Sequence, residues 1–180
     1  NLPVLPHTIE NLKLSGFPSL TSLSSLPNNL KNLNVSLKIT TLPTLPIGLE
    51  SLTIFTQYSF TWPQLPSGLK SLLCSQSGVN APQHLPPLPN GLKYLYCTMF
   101  QIDSLPTPLP DSLISLSCGM NQIPILPSLP NGLKNLECNW NIFTNLPPLP
   151  SSLQTLYCNT SNSLTALPSL PNGLKELKVS

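Results

Sequence analysis

"LPNGLKYLYC" at residues 88–97 returns as "LPNGLKNLEC" at 129–138. The second proline of each "LPxLP" phrase marks a series at Pro6, Pro27, Pro46, Pro66, Pro89, Pro110, Pro130, Pro150 and Pro171, with intervals of 21, 19, 20, 23, 21, 20, 20 and 21 residues. Self-similarity at a fixed period of this size is the signature of a repeat architecture, so the chain is read as one domain, 1–180, of nine units. Three residues after each marker comes an aliphatic residue, three later a leucine, and two later a small apolar residue. The last set is Leu14, Val35, Ile54, Cys74, Cys97, Cys118, Cys138, Cys158 and Val179. The closing step of two is strand periodicity, with two residues facing inward and one outward between them.

Each unit therefore supplies one short strand and has no room for a full helix. The two prolines fix φ near the polyproline value and lack an N–H, so the return path is extended. The fold class that follows is a right-handed solenoid with a parallel β-sheet on its concave face and little or no helix, about 4.8 Å per turn and roughly 40 Å long. In "LPNG" the expected turn is type I, with proline at i+1 and glycine at i+3, and a positive φ preferred at Gly48, Gly68, Gly91, Gly132 and Gly173. Asn29, Thr8, Ser112 and Ser152 hold that position elsewhere. Asn121 and Asn141, three residues past their cysteines, are placed to bond the backbone of the following turn. Phe100 takes that place in one unit, and Asn162 is displaced by an insertion.

Composition agrees with a periodic, packed chain. Twenty-three prolines would suggest disorder, but a 40% hydrophobic fraction rich in leucine is too apolar for a solvated segment. The net charge is +2, with eight scattered lysines and no arginine, which gives no electrostatic footprint for nucleic acid. The uncharged stretch 51–69 is broken by Pro63 and Pro66, so it is no membrane span.

"LPSSLQTLYCNTSNSLTALP" at 149–168 resembles the short bacterial leucine-rich repeats, whose text runs roughly LPxLPxxLxxLxVxxNxLTxLP. The likeness covers essentially the whole chain. Such repeats are known from effectors that bacteria inject into host cells, some with a carboxy-terminal ubiquitin-ligase domain, and from secreted or surface proteins. Cysteine at the strand end, low charge and Ser/Asn/Thr-rich outer positions resemble the surface group more closely. The ligase cysteine belongs to a separate helical domain, and every cysteine here lies inside the repeat phrase, so that activity does not carry over.

The residues offer no catalytic, metal-binding or cofactor-binding set. The five cysteines lie one repeat apart rather than in close pairs, and aliphatic residues fill the same slot elsewhere, which points to core thiols. His7 and His84 sit in loops of different units, and the six acids are spread over separate repeats, so no enzyme is expected. Asn34-Val-Ser36 and Asn159-Thr160-Ser161 match the glycosylation acceptor pattern at chance frequency. A lysine recurs at Lys31, Lys70, Lys93, Lys134 and Lys175, read as a solubilising row rather than as a basic stripe for an acidic partner.

The outward strand positions carry more. They are Tyr94 and Tyr96, Ser115 and Ser117, Asn135 and Glu137, and Thr155 and Tyr157, with Met99, Met120 and Trp140 just beyond the strands. Exposed aromatic and methionine side chains on one face suit a contact surface, so Tyr94, Tyr96, Met99, Met120, Trp140 and Tyr157 form the candidate partner-binding set. Packing of Met99, Met120 and Trp140 into the rim stays open. The sequence thus reads as a non-catalytic protein-interaction solenoid of a secreted or cell-surface protein. The alternatives are a spacer or assembly subunit joined through uncapped ends, and the substrate-binding arm of an effector exported into a host cell. The chain begins without methionine and both terminal units lack a polar cap, so it is expected to be a fragment truncated at both ends.

Overall fold

The structure, a computed structural model, describes residues 3–17, 19–76, 84–159 and 164–179. Nine strands follow the nine leucine pairs: β1 (Asn11–Ser15), β2 (Asn32–Ser36), β3 (Ser51–Thr56), β4 (Ser71–Gln76), β5 (Tyr94–Tyr96), β6 (Ser115–Ser117), β7 (Asn135–Glu137), β8 (Thr155–Cys158) and β9 (Glu176–Val179). They form one parallel sheet in strict chain order, with no helix among the described residues. The register is that of the repeat: Leu33 faces Leu52, Leu116 faces Leu136, and Cys158 faces Val179.

Sheet order follows from the turn between units. Leu92 N–H donates to Pro89 O at 3.0 Å, and the same bond recurs from Leu30 to Pro27, Leu113 to Pro110 and Leu153 to Pro150. Proline therefore occupies position i of the turn, not i+1 as the sequence suggested, because the leucine that enters the core closes the turn on the proline carbonyl. Glycine falls at i+2, where a type I turn keeps φ negative. Gly48, Gly68, Gly91, Gly132 and Gly173 accordingly have no positive φ. A side chain is accommodated there: a Cβ on Gly91 would lie 3.6 Å from Ser67 O of the preceding turn, an ordinary contact distance. Ser112 exploits that closeness by sharing its hydroxyl proton between Asn90 O (2.7 Å) and Leu92 O (2.6 Å), and Ser152 does the same with Asn131 O and Leu133 O. The next carbonyl pair is equally economical. Lys31 and Asn32 N–H both bond Glu10 O, and Glu50 and Ser51 N–H both bond Lys31 O.

The core is a stack of columns. Leu30, Leu49, Leu69, Leu92, Leu113, Leu133 and Leu153 are fully buried, as are the strand leucines behind them and the column Val35, Ile54, Cys74, Cys97, Cys118, Cys138, Cys158. The first leucine of the proline phrase, such as Leu85, Leu105, Leu126 or Leu146, closes the core from the convex side. All five cysteines are free and buried. On the outer side of β9, Leu177 and Val179 are exposed, whereas Leu14 of β1 is buried.

The units divide into two forms after the strand. In β2 to β4 the chain stays extended, so the residue two past the column position turns inward, and Leu37, Thr56 and Gln76 are buried. In the fifth to seventh units that residue is Met99, Met120 or Trp140, each with φ between 55° and 57°. The left-handed residue shifts the inward phase by one, and Phe100, Asn121 and Asn141 are buried instead.

Candidate functional site

The second form of the unit is held by side-chain amides. Asn121 Nδ2 donates to Cys97 O (2.8 Å), Cys118 O (2.9 Å) and Gly119 O (3.1 Å), while its Oδ1 accepts from Phe100 N (3.1 Å) and Ile102 N (3.2 Å). Asn141 repeats this one unit on, bonding Cys118 O, Cys138 O and Ile123 N. The asparagine ladder expected from the sequence is present over these two units; Asn162 lies outside the described residues, as do Thr160 and Ser161. The ladder needs the chain to reverse tightly between column cysteine and asparagine, and that reversal is where the left-handed residues sit.

Met99, Met120 and Trp140 thus line up one strand apart along the rim, exposed by 48%, 49% and 55%. The structure leaves them at the surface rather than tucking them into the core. A left-handed backbone favours glycine or asparagine, and a bulky side chain there costs on the order of 1 kcal/mol or more. Three units in a row carry one nonetheless. Beside them on the sheet stand Tyr94, 39% exposed, and the half-buried Tyr96 and Tyr157. Tyr94, Tyr96 and Tyr157 therefore belong to the same face of the sheet, with β6 and β7 between the first two and the last, and Met99, Met120 and Trp140 border it. Tyr157 is turned toward β9, where Lys178 Nζ lies 4.2 Å from its ring centroid.

Ser115 and Ser117 depart from expectation. They point to the concave side, yet they are 9% and 6% exposed, because the tyrosines of β5 and the longer side chains of β7 stand above them. The result is a notch across β6 with polar walls. Thr98 Oγ1 lies 2.9 Å from Ser117 Oγ, and Ser117 Oγ donates to Glu137 Oε2 at 3.1 Å.

Two apolar features escaped the sequence reading. Phe17, Phe55 and Tyr58 are exposed on the rim of the first three units, and Phe17, Leu37, Lys38 and Phe55 line a hollow of about 270 Å³ there. On the convex side a groove of about 880 Å³ runs past Ile47, Trp62, Pro63, Pro66 and Leu88. Trp62 is seated against Phe60 and Phe100 with ring centroids at 4.9 and 5.8 Å. The long interval of 23 residues before Pro89 is the sequence feature that falls beside this groove.

Electrostatics are local. Lys31 pairs with Glu10 at 3.0 Å and Lys70 with Glu50 at 2.8 Å, both exposed; the Lys70 hydrogen bond and charge hold the Glu50 carboxyl below its ordinary range. Lys93, Lys134 and Lys175 have no ion pair among the described residues. His84 Nδ1 lies 3.5 Å from Asp103 Oδ1 in the solvent. No group of histidines, cysteines and acids among the described residues is arranged to hold a metal ion. Burial pushes the thiols of Cys74, Cys97 and Cys118 well above the usual range, and Cys138 is raised by its hydrogen bond to Cys158 and by burial.

No family model matches the sequence, and no curated protein matches it. Among solved structures the chain is similar to YopM from Yersinia enterocolitica WA-314, with 30% identity over 99% of this chain and 43% of that one, at a TM-score of 0.70. It is similar to YopM from Yersinia pestis, described as a leucine-rich effector protein, with 28% identity over 98% and 49% at a TM-score of 0.82. A Shigella effector leucine-rich-repeat domain aligns at 29% identity over 90% and 63%, with a TM-score of 0.56. The chain spans less than two thirds of each of these proteins. Its fold is the leucine-rich-repeat solenoid, similar to the repeat domains of bacterial effectors.

Proposed function

We propose that this leucine-rich-repeat solenoid is a non-catalytic module that binds a protein partner on the concave face and rim of its fifth to eighth units. One observation carries the reading: Met99, Met120 and Trp140 occupy left-handed backbone positions and remain exposed. A position that favours asparagine holds a large apolar side chain three times in succession, and the core gains little from it. Contact with another molecule is the gain that offsets the strain. Tyr94, Tyr96 and Tyr157 add rigid aromatic area beside the row, of the kind that concentrates binding energy.

The similarity to effector repeat domains supports a partner-binding arm delivered into a host cell. The polar, weakly charged outer positions support a secreted or surface-exposed protein instead. Either origin is compatible with the same face meeting a protein partner. The test is photo-crosslinking from benzoylphenylalanine placed at Tyr96, at Met120, and at Ile47 on the convex side, in extracts of the source cells and of the cells they contact. A discrete adduct from the first two positions, absent from the third, is expected. Adducts from Ile47 alone would move the contact surface to the convex groove.

A further inference from the structure

The notch across β6 is built around a carboxylate that has no cation. Glu137 is half-buried on β7, and its oxygens are held apart: Oε2 accepts Ser117 Oγ at 3.1 Å, and Oε1 accepts Asn139 Nδ2 at 3.4 Å. Glu10, Glu50, Asp103 and Glu176 each face a lysine or histidine; Asp111 and Glu137 have no such partner among the described residues, and of these two Asp111 is exposed and Glu137 half-buried. Partial burial of a carboxylate without a counter-charge is unfavourable, and two neutral donors offset it only in part. Each oxygen keeps a free lone-pair direction, which leaves the group able to accept a two-pronged donor.

The surroundings select the donor. Along the sheet, the outward residues in register are Tyr96, Ser117, Glu137 and Tyr157. The strands that carry the two tyrosines lie three spacings, about 14 Å, apart, with the short Ser117 and Glu137 on the two strands between them. Tyr157 is engaged on its far side, its ring under Lys178 and its hydroxyl bonded to Glu176, and makes no bond to Glu137 among the described residues. The contact with Lys178 also shows that this ring takes a cation. A planar guanidinium meets both demands, since it bonds a carboxylate through two parallel N–H groups and stacks on aromatic faces; an ammonium does only part of this.

We propose that an arginine of the bound partner docks on Glu137, between Tyr96 and Tyr157, as the specificity contact of the concave face. The inference rests on the reading of that face as the contact surface and adds the chemistry of what enters it. Burial of Ser117 beneath the incoming side chain excludes water from the pair, which raises its worth above that of an exposed ion pair.

The test pans a random peptide library displayed on phage against the full chain and measures the selected peptides by fluorescence anisotropy. Peptides sharing an arginine, with affinity at least tenfold lower for the isosteric Glu137→Gln variant, are expected. Replacing that arginine by uncharged citrulline should cost the same factor, and should cost nothing further in Glu137→Gln. Circular dichroism checks that each variant folds. Peptides that lose affinity with Tyr96→Ala and Trp140→Ala, yet share no arginine and bind Glu137→Gln as they bind the unaltered chain, would overturn the arginine assignment and leave the contact surface standing. Peptides indifferent to all three substitutions, or a library that yields none, would overturn both.

Discussion

Asn121 Nδ2 donates to the main-chain carbonyl of Cys97, a full repeat earlier, at 2.8 Å, and the same amide bonds Cys118 O within its own unit. One side chain thereby ties two coils together, and its Oδ1 also accepts from Phe100 N and Ile102 N further along the earlier coil. Cys118 O keeps a second donor in Asn141 Nδ2, so the loss falls on Cys97 O, Phe100 N and Ile102 N, buried groups that each cost about 1–3 kcal/mol when left unsatisfied. Asn121→Ala should therefore lower stability by more than about 2 kcal/mol in urea unfolding, with amide exchange accelerated first at residues 100 and 102. Loss confined to residue 121 itself would mean that the ladder is decorative.

Leu116 and Cys118 are both buried on the sixth unit, in register with Leu95 and Leu136 for the first, and stacked on the thiol column for the second. Leu116→Ala opens a cavity in the core and should cost roughly 2–5 kcal/mol. Cys118→Val puts into the slot the residue that Val35 already is, and should cost less than about 1.5 kcal/mol. Thermal unfolding of the two variants beside the parent separates these outcomes.

The thiols of Cys74, Cys97 and Cys118 should stay protonated and unreactive in the folded chain even at mildly alkaline pH. Burial raises their pKa, and only thiolate is nucleophilic. Labelling by a chromogenic disulfide should follow global unfolding, appearing on adding urea and not on raising pH. Prompt reaction of several thiols in buffer would show that the column is open.

Much of this was legible in the sequence, and the gaps have physical causes. The marker prolines fix every strand, because a step of three, three and two leaves Leu92, Leu95 and Cys97 only one way to face the core. The turn was misplaced by one residue, since Asn-Gly after proline suits either frame and only the bond from Leu92 N–H to Pro89 O decides between them. The change of phase after the strand was hidden as well. Thr56 and Asn121 both end up inward, although they follow their columns by two and by three residues, and methionine in a left-handed conformation gives no local cue. Outward direction for Ser117 followed from alternation, but its burial depends on neighbours two units apart in the sheet, Tyr96 and Glu137, that no single repeat reveals.

The most direct measurement concerns Met99, Met120 and Trp140 together. Asparagine tolerates the left-handed backbone better than methionine or tryptophan, so the triple change Met99→Asn, Met120→Asn, Trp140→Asn relieves strain on the order of 1–3 kcal/mol. The melting temperature should rise by roughly 2–10 °C. In the same sample, crosslinking from Tyr96 and the affinity of the selected peptides should fall at least tenfold. Greater stability with lost binding is the pattern of side chains kept for contact at the expense of the fold. A triple variant that melts lower, or that binds as before, would contradict the account.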